Sequence, residues 1–195
     1  MKKLVSIVVP AYNEEENIPI VCKSIARTFE NSSYDYELIF VADGCTDQTM
    51  TVLDCLTAAN EQIYYIEFSR NFGHQLALKA GLEHASGDCA ISMDCDMQHP
   101  CDLIPELLSK WEEGYEVVYT LRKEDKQLPF RKRVSSRLYY KFLNTLSSVE
   151  LECGTADFRL IDRKVIEAFK NFQETEPFLR GLFKWIGFKQ FALTY

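Results

Sequence analysis

The chain has 195 residues, 47% of them hydrophobic and 13% aromatic, which is enough for one substantial core. A net charge of -7 argues against a general nucleic-acid binder, and seven dispersed cysteines (22, 45, 55, 89, 95, 101, 153) without a C-x-x-C pair suggest neither a disulfide framework nor a zinc site. No apolar run reaches the roughly 18 residues that cross a bilayer and no signal-peptide pattern precedes Leu4, so the expectation is a soluble chain in a reducing cytoplasm.

The first predicted strand, Val5 to Val9, runs into the polar turn PAYNEEEN, and a helix follows in which Ile18, Val21, Cys22, Ile25, Ala26 and Phe29 form one apolar stripe. Leu38 to Val41 is a second strand ending in ADGCTD, with a helix over Asp47 to Asn60. Ile63 to Phe68 is a third, ending in SRNFGH before a helix over Gln75 to His84. Cys89 to Met93 leads into DCDMQHP and a helix over Asp102 to Trp111, and Val117 to Tyr119 is a fifth strand. Lys123 to Phe130 reads as a surface loop. Beyond it Val134, Leu138, Phe142 and Leu146 recur every four residues, the pattern of an amphipathic helix that packs on the domain or lies near an anionic membrane.

Strand-helix alternation of this kind predicts an α/β fold with a mostly parallel sheet flanked by helices, in a single domain. Such sheets bind ligands beyond the carboxyl ends of their strands, where four polar clusters of this sequence fall. They are expected to form one composite site.

The stretch Asp94-Cys95-Asp96 follows an apolar strand. Residues i and i+2 of an extended segment point the same way, so both carboxylates can meet at one point, with Gln98 close behind if the chain curls. Oxygen donors suit Mg²⁺ or Mn²⁺, and a hard ion held by two carboxylates completes its shell with water and substrate phosphates. The plain alternative is a solvated turn or helix cap. His99, followed by Pro100, reads as a turn residue. Asp43-Gly44 is either an ordinary turn or a carboxylate beside a close backbone approach, and NEEEN is either an acidic helix start or part of the site.

In order and spacing, VSIVVPAYNEEENI, ELIFVADGCTD, SRNFGHQLALKAGLEHASGD, MDCDMQHP and GTADFRLIDRKV resemble the family-two inverting glycosyltransferases of the GT-A (nucleotide-diphospho-sugar transferase) fold. Within them the likeness is to the polyprenyl-phosphate glycosyltransferases, the dolichyl-phosphate mannose synthase and bactoprenyl glucosyltransferase group. It implies that Pro10, Tyr12, Glu14, Asp43, Asp94 and Cys95 bind the nucleotide sugar and that Asp94, Asp96 and Gln98 bind a Mg²⁺ or Mn²⁺ ion and the diphosphate. Asp96 and Asp157 are the implied catalytic residues, Asp157 as base, as orienter of the acceptor, or as partner of Arg159. Two departures stand out: the usual Asp-Asp-Gly-Ser reads Ala42-Asp43-Gly44-Cys45, and the middle residue of D-x-D is Cys95.

The charge is uneven. Between Arg122 and Lys141 eight Lys and Arg face two acids, a local +6 that leaves -13 on the other 175 residues. The resemblance assigns Arg122, Arg131 and Ser135 to an acceptor phosphate, which guanidinium forks suit. The expected activity is hexose transfer from a UDP- or GDP-sugar to a polyprenyl phosphate at the cytoplasmic membrane face. Two alternatives remain: transfer to a saccharide hydroxyl, and a nucleotide-sugar-binding domain without turnover. No nucleic-acid partner is expected, and a homo-oligomer is left open. The whole of 1–195 is read as one catalytic domain, donor-binding over about 1–121 and acceptor-side over about 122–195. The resemblance further implies a C-terminal extension with a basic motif and a membrane anchor.

Overall fold

A computed structural model describes residues 2–122, 155–172, 174 and 178–195. The described residues form one seven-stranded sheet in the order β3-β2-β1-β4-β6-β5-β7. Its strands are β1 (Leu4–Ala11), β2 (Asp35–Ala42), β3 (Ile63–Glu67), β4 (Cys89–Ser92), β5 (Val117–Leu121), β6 (Thr155–Asp162) and β7 (Gln190–Thr194). The pairings among β1 to β4 are parallel, as is β5 with β7. Only β6 runs against its neighbours, antiparallel to both β4 and β5. The predicted mostly parallel sheet is therefore present, with one reversed strand inserted.

Central β1 is buried from Val5 to Ala11, as a parallel strand covered on both faces must be, and this accounts for its unbroken apolar run. On one face Ile7 and Val9 pack with α1 (Ile18–Phe29), with Leu53 of α2 (Thr49–Ala59) and with α4 (Ile104–Glu112). On the other, Val8 packs with Leu78 and Leu82 of α3 (His74–His84), with α5 (Arg163–Phe169) and with α6 (Leu179–Trp185). Of the stripe read in the sequence for α1, Ile18, Val21, Ile25 and Phe29 are buried in the core and Cys22 is partly buried, whereas Ala26 is exposed at the edge of that face.

The predicted helix over Asp102 to Trp111 divides into a 3₁₀ turn, Cys101–Leu103, and α4. Pro105 falls in the first turn of α4, where no amide donor is needed. The predicted helix from Asp47 starts instead at Thr49, because Asp47 stays outside and accepts the Thr49 N–H on Oδ1 at 3.0 Å. Two expectations, the loop over 123–130 and the helix carrying Val134 to Leu146, lie outside the described residues. No helix among the described residues is long and apolar enough to cross a membrane.

Candidate functional site

The turns after β1 and β2 are stitched together. Asn13, at φ 57, turns its Oδ1 to accept the Thr46 N–H at 2.8 Å. Glu14 N–H donates to Thr49 Oγ1 at 2.9 Å, and Glu15 Oε2 accepts Gln48 N–H at 2.6 Å. Cys45, where a serine was expected, does a hydroxyl's work: Sγ donates to the Ala11 carbonyl and accepts from Asn13 N–H, both at 3.5 Å. The Glu14 carboxylate is held by Asn17 Nδ2 at 2.6 Å.

Asp43 is buried, and both its oxygens are engaged: Oδ1 accepts Phe72 N–H at 2.7 Å and Oδ2 accepts Gly73 N–H at 2.9 Å. The carboxylate that ends β2 therefore fixes the loop that leaves β3. Gly44 makes the approach feasible, since at φ 66 a side chain is strained and a Cβ there would overlap the Arg70 and Asn71 backbone.

After β4 the chain alternates, with Asp94 half-buried, Cys95 buried and Asp96 exposed, before Met97 turns it at φ 61. Asp96 Oδ1 accepts Gln98 N–H at 3.0 Å. Buried His99 stacks on Phe158 with ring centroids 5.2 Å apart, and its Nδ1 accepts Asp94 N–H at 2.9 Å. Burial pushes its basicity below that of an ordinary histidine, so the neutral ring serves as a fixed acceptor for the turn. This is the turn-residue reading of His99, with a structural purpose attached.

Because β6 is antiparallel, its first residues arrive at the carboxyl edge of the parallel strands. Ser92 Oγ donates to the Asp157 carbonyl at 2.6 Å, locking the two strand ends together. The Asp157 side chain is clasped by Arg180 of α6, Nε to Oδ1 at 2.8 Å and Nη2 to Oδ2 at 2.6 Å, and approached by Arg159 Nη2 at 3.4 Å. Arg159 is 4% exposed, and burial brings its guanidinium down to about 10. Burial alone would raise the Asp157 carboxyl. The Arg180 hydrogen bonds and the charges of both arginines outweigh it and hold the group below the usual carboxylate range.

His74 opens α3 between the two acids: Nε2 is 2.8 Å from Asp94 Oδ1, and Nδ1 is 3.9 Å from Asp157 Oδ2. The hydrogen bond to Asp94 raises the basicity of the ring against the opposing effect of burial. For Asp94, burial is likewise overcome by the His74 bond and the nearby His99, and its carboxyl is held low.

A cavity of ≈ 330 Å³ at this edge is lined by Pro10, Ala11, Tyr12, Glu14, Asp43, Asn71, Gly73, His74, Asp94, Cys95 and Asp96. All of the donor-side residues expected from the sequence meet there. Tyr12 is 48% exposed, a ring face open to a ligand, whereas the Cys95 side chain is buried. A larger hollow of ≈ 490 Å³ lies between α1 and the 97–105 segment, but none of those donor-side residues lines it. Gln98 and Asp157 stand outside the donor lining. Gln98 is exposed and its Oε1 accepts from Arg122 Nη2 at 3.0 Å, while Arg122 Nε donates to Tyr195 Oη at 2.9 Å. Arg131 and Ser135 lie outside the described residues.

Among the described residues no group of three or more His, Cys, Asp or Glu side chains is arranged to hold a metal ion. Two all-oxygen carboxylates lining an open cavity still suit a Mg²⁺ or Mn²⁺ ion that brings water and phosphate oxygens for the rest of its shell. Sequence reading missed His74, Gln75 and Arg180. The RNFGH turn gave a weak signal for the first, and nothing local pointed to the last.

Residues 6–169 match the family model "Glycosyl transferase family 2". The chain is 41% identical over 97% of its length to the uncharacterized glycosyltransferase YkcC of Bacillus subtilis, covering 59% of that protein. It is 37% identical over 98% of its length to the prophage bactoprenol glucosyl transferase homolog of Escherichia coli, covering 62% of it. To the bactoprenol glucosyl transferase of Shigella phage SfV it is 37% identical over 94%, covering 60% of that chain. It thus spans about three fifths of the length of these curated relatives. Among solved structures, the mannosyltransferase PcManGT of Pyrobaculum calidifontis, in complex with GDP-Man and Mn²⁺, superposes with a TM-score of 0.64 at 18% identity, covering 100% of this chain and 55% of that one. The glucosyl-3-phosphoglycerate synthase of Mycobacterium tuberculosis, in complex with Mn²⁺, UDP-Glc and phosphoglyceric acid, gives 0.59 at 22% identity, covering 84% and 57%. The fold is that of the GT-A glycosyltransferases.

Proposed function

Since the chain belongs to glycosyl transferase family 2, we propose that it is the catalytic domain, donor-binding over about 1–121 and acceptor-side over about 122–195, of an inverting hexosyltransferase. Its donor is a UDP- or GDP-sugar and its acceptor a polyprenyl phosphate presented at the cytoplasmic membrane face. The observation that carries this reading is the single cavity into which Pro10, Tyr12, Glu14, Asp43, Asp94 and Asp96 converge from three different strand ends. Relatives named bactoprenol glucosyl transferases, at 37% identity, support the acceptor.

Asp94 and Asp96 would hold a Mg²⁺ or Mn²⁺ ion, which when bound supplies Lewis-acid stabilisation of the departing diphosphate. The Tyr12 ring offers a stacking face for the base. Asp43 keeps the 70–74 loop in place through its two amide contacts, so that Asn71 and Gly73 stay in the cavity wall. Arg122, beside Gln98, together with Arg131 and Ser135, would receive the acceptor phosphate. That phosphate has a second pKa of about 6 and is mostly dianionic at neutral pH, so the nucleophile needs no base. Asp157, neutralised by two arginines, is suited to orientation rather than to proton removal.

The test is a panel of UDP- and GDP-sugars, screened for Mn²⁺-dependent thermal shift and then for transfer to a short polyprenyl phosphate in the full-length protein. Transfer to the lipid phosphate is the expected result. Transfer only to a saccharide hydroxyl, or donor binding without turnover, would overturn it.

A further inference from the structure

His74 and Gln75 open α3 side by side, and both side chains leave the helix to bond other elements. Gln75 Oε1 accepts the N–H of Leu179, the first residue of α6, at 3.2 Å. This amide has no intrahelical acceptor, and Phe178, preceding it, makes no side-chain cap. With its oxygen committed there, the Gln75 amide must present Nε2 to its other neighbour, His74 Nδ1, at 3.3 Å. An N–H donor at Nδ1 makes that nitrogen the acceptor of the neutral ring, so the ring proton sits on Nε2, the atom 2.8 Å from Asp94 Oδ1. In the protonated ring Nε2 also carries a proton. The bond to Asp94 therefore points the same way in both charge states.

From this geometry we propose that His74 and Gln75 are positioning residues that transmit the seat of α6 to Asp94. With the ring neutral the donors run in one direction: Leu179 N–H to Gln75, Gln75 N–H to His74, His74 N–H to Asp94. Oδ1 of Asp94 is fixed by His74, its backbone N–H by His99 Nδ1, and its Oδ2 lies 3.5 Å from His99 Nε2, so both oxygens are oriented where the side chain enters the cavity lining. Outer contacts of this kind orient a carboxylate ligand and raise affinity at a metal site. The inference rests on the reading of Asp94 as a ligand of a diphosphate-bound divalent ion.

Mn²⁺ titrated into the full chain saturated with UDP, and separately with GDP, with free Mn²⁺ read by electron paramagnetic resonance, tests it without any turnover. His74→Ala is expected to weaken Mn²⁺ by about 10–100-fold. His74→Gln places an amide N–H where Nε2 stood and should restore most of that affinity. His74→Asn, whose amide reaches only the Nδ1 position, should not. Metal-free melting temperature and metal-free nucleotide affinity report any general damage to the fold.

Unchanged or tighter Mn²⁺ binding in His74→Ala would overturn the positioning role, the tighter case meaning that His74 competes for Asp94. Equal losses in the Gln and Asn variants would overturn it too. Failure of the metal reading looks different: the wild-type chain would then bind no Mn²⁺ in the presence of nucleotide, or Asp94→Asn would bind it as tightly as wild type.

Discussion

Arg180 grips both carboxylate oxygens of Asp157 at 2.8 and 2.6 Å, from 23 residues further along the chain. A general base works best with a pKa near the operating pH, whereas this carboxylate is held below its usual range by Arg180 and Arg159. Asp157→Asn should therefore leave appreciable transfer. General base catalysis typically contributes about 10²–10⁴-fold, so kcat at saturating donor separates the two roles. A fall beyond about a thousandfold, with donor affinity and melting temperature intact, would refute the phosphate-acceptor mechanism.

The same pair has a pH signature. A carboxyl whose folded pKa is depressed adds stability above its unfolded value, near 3.9, and loses it as pH falls through the folded value. Arg180→Ala should cost about 1–2 kcal/mol at pH 7, less than a fully buried pair because Arg180 is 36% exposed and Arg159 remains. Urea midpoints for wild type and variant should converge as pH drops below about 4. A gap that stays constant into that range would show that packing, not charge, supplies the difference.

Strands β1 to β5 and helices α1 to α4 were legible because their apolar periodicity is local. β6 was quoted only as a motif and not recognised as a strand. Its sequence TADFRLID carries Asp157 and Arg159 at buried positions, and their charges are tolerable only with Arg180, whose proximity depends on the completed fold. The donor side was readable for a related reason: in a parallel sheet the turns after consecutive strands must share an edge, which predicted one composite site, and the family resemblance then singled out Pro10, Tyr12, Glu14, Asp43, Asp94 and Asp96 within it. His74 was not, because its meaning comes from Asp94, 20 residues away.

Gly44→Ala should be costly in a way that Gly114→Ala is not. Both glycines have positive φ, 66 and 88, worth about 1–3 kcal/mol of strain for another residue. Only at 44 would the new Cβ also overlap backbone, that of Arg70 and Asn71, whereas at 114 nothing lies within 4 Å. Gly44→Ala should therefore melt lower and bind nucleotide more weakly, since the loop anchored by Asp43 must move. Equal effects at both positions would mean that the loop contact is unimportant.

On the acceptor side, Arg122→Ala and Arg131→Ala should raise the KM for lipid phosphate well above any change in donor affinity. The motive is the local +6 charge and, for Arg122, its place beside Gln98. Steady-state kinetics with each substrate varied in turn would check this. Equal losses for donor and acceptor would move these arginines to the donor side or to the fold.

The metal clamp itself is best probed at Asp96, because this residue can be changed with the least structural damage. It is exposed, and its one bond among the described residues is the Gln98 N–H accepted by Oδ1, which the amide oxygen of an asparagine also accepts. Asp96→Asn should consequently melt like wild type. What it removes is a negative charge in the cavity wall, where a divalent ion depends on carboxylates to offset the loss of its hydration shell. Asp94 is a less clean target, since its loss would also free His74 and leave that ring without its partner. The expected outcome is that Asp96→Asn binds UDP or GDP in EDTA as wild type does but gains little from Mn²⁺, with transfer falling in parallel. Calorimetric titration of each nucleotide, with and without Mn²⁺, measures this directly. A folded variant in which Mn²⁺ strengthens nucleotide binding as much as in wild type would remove Asp96 from the metal site.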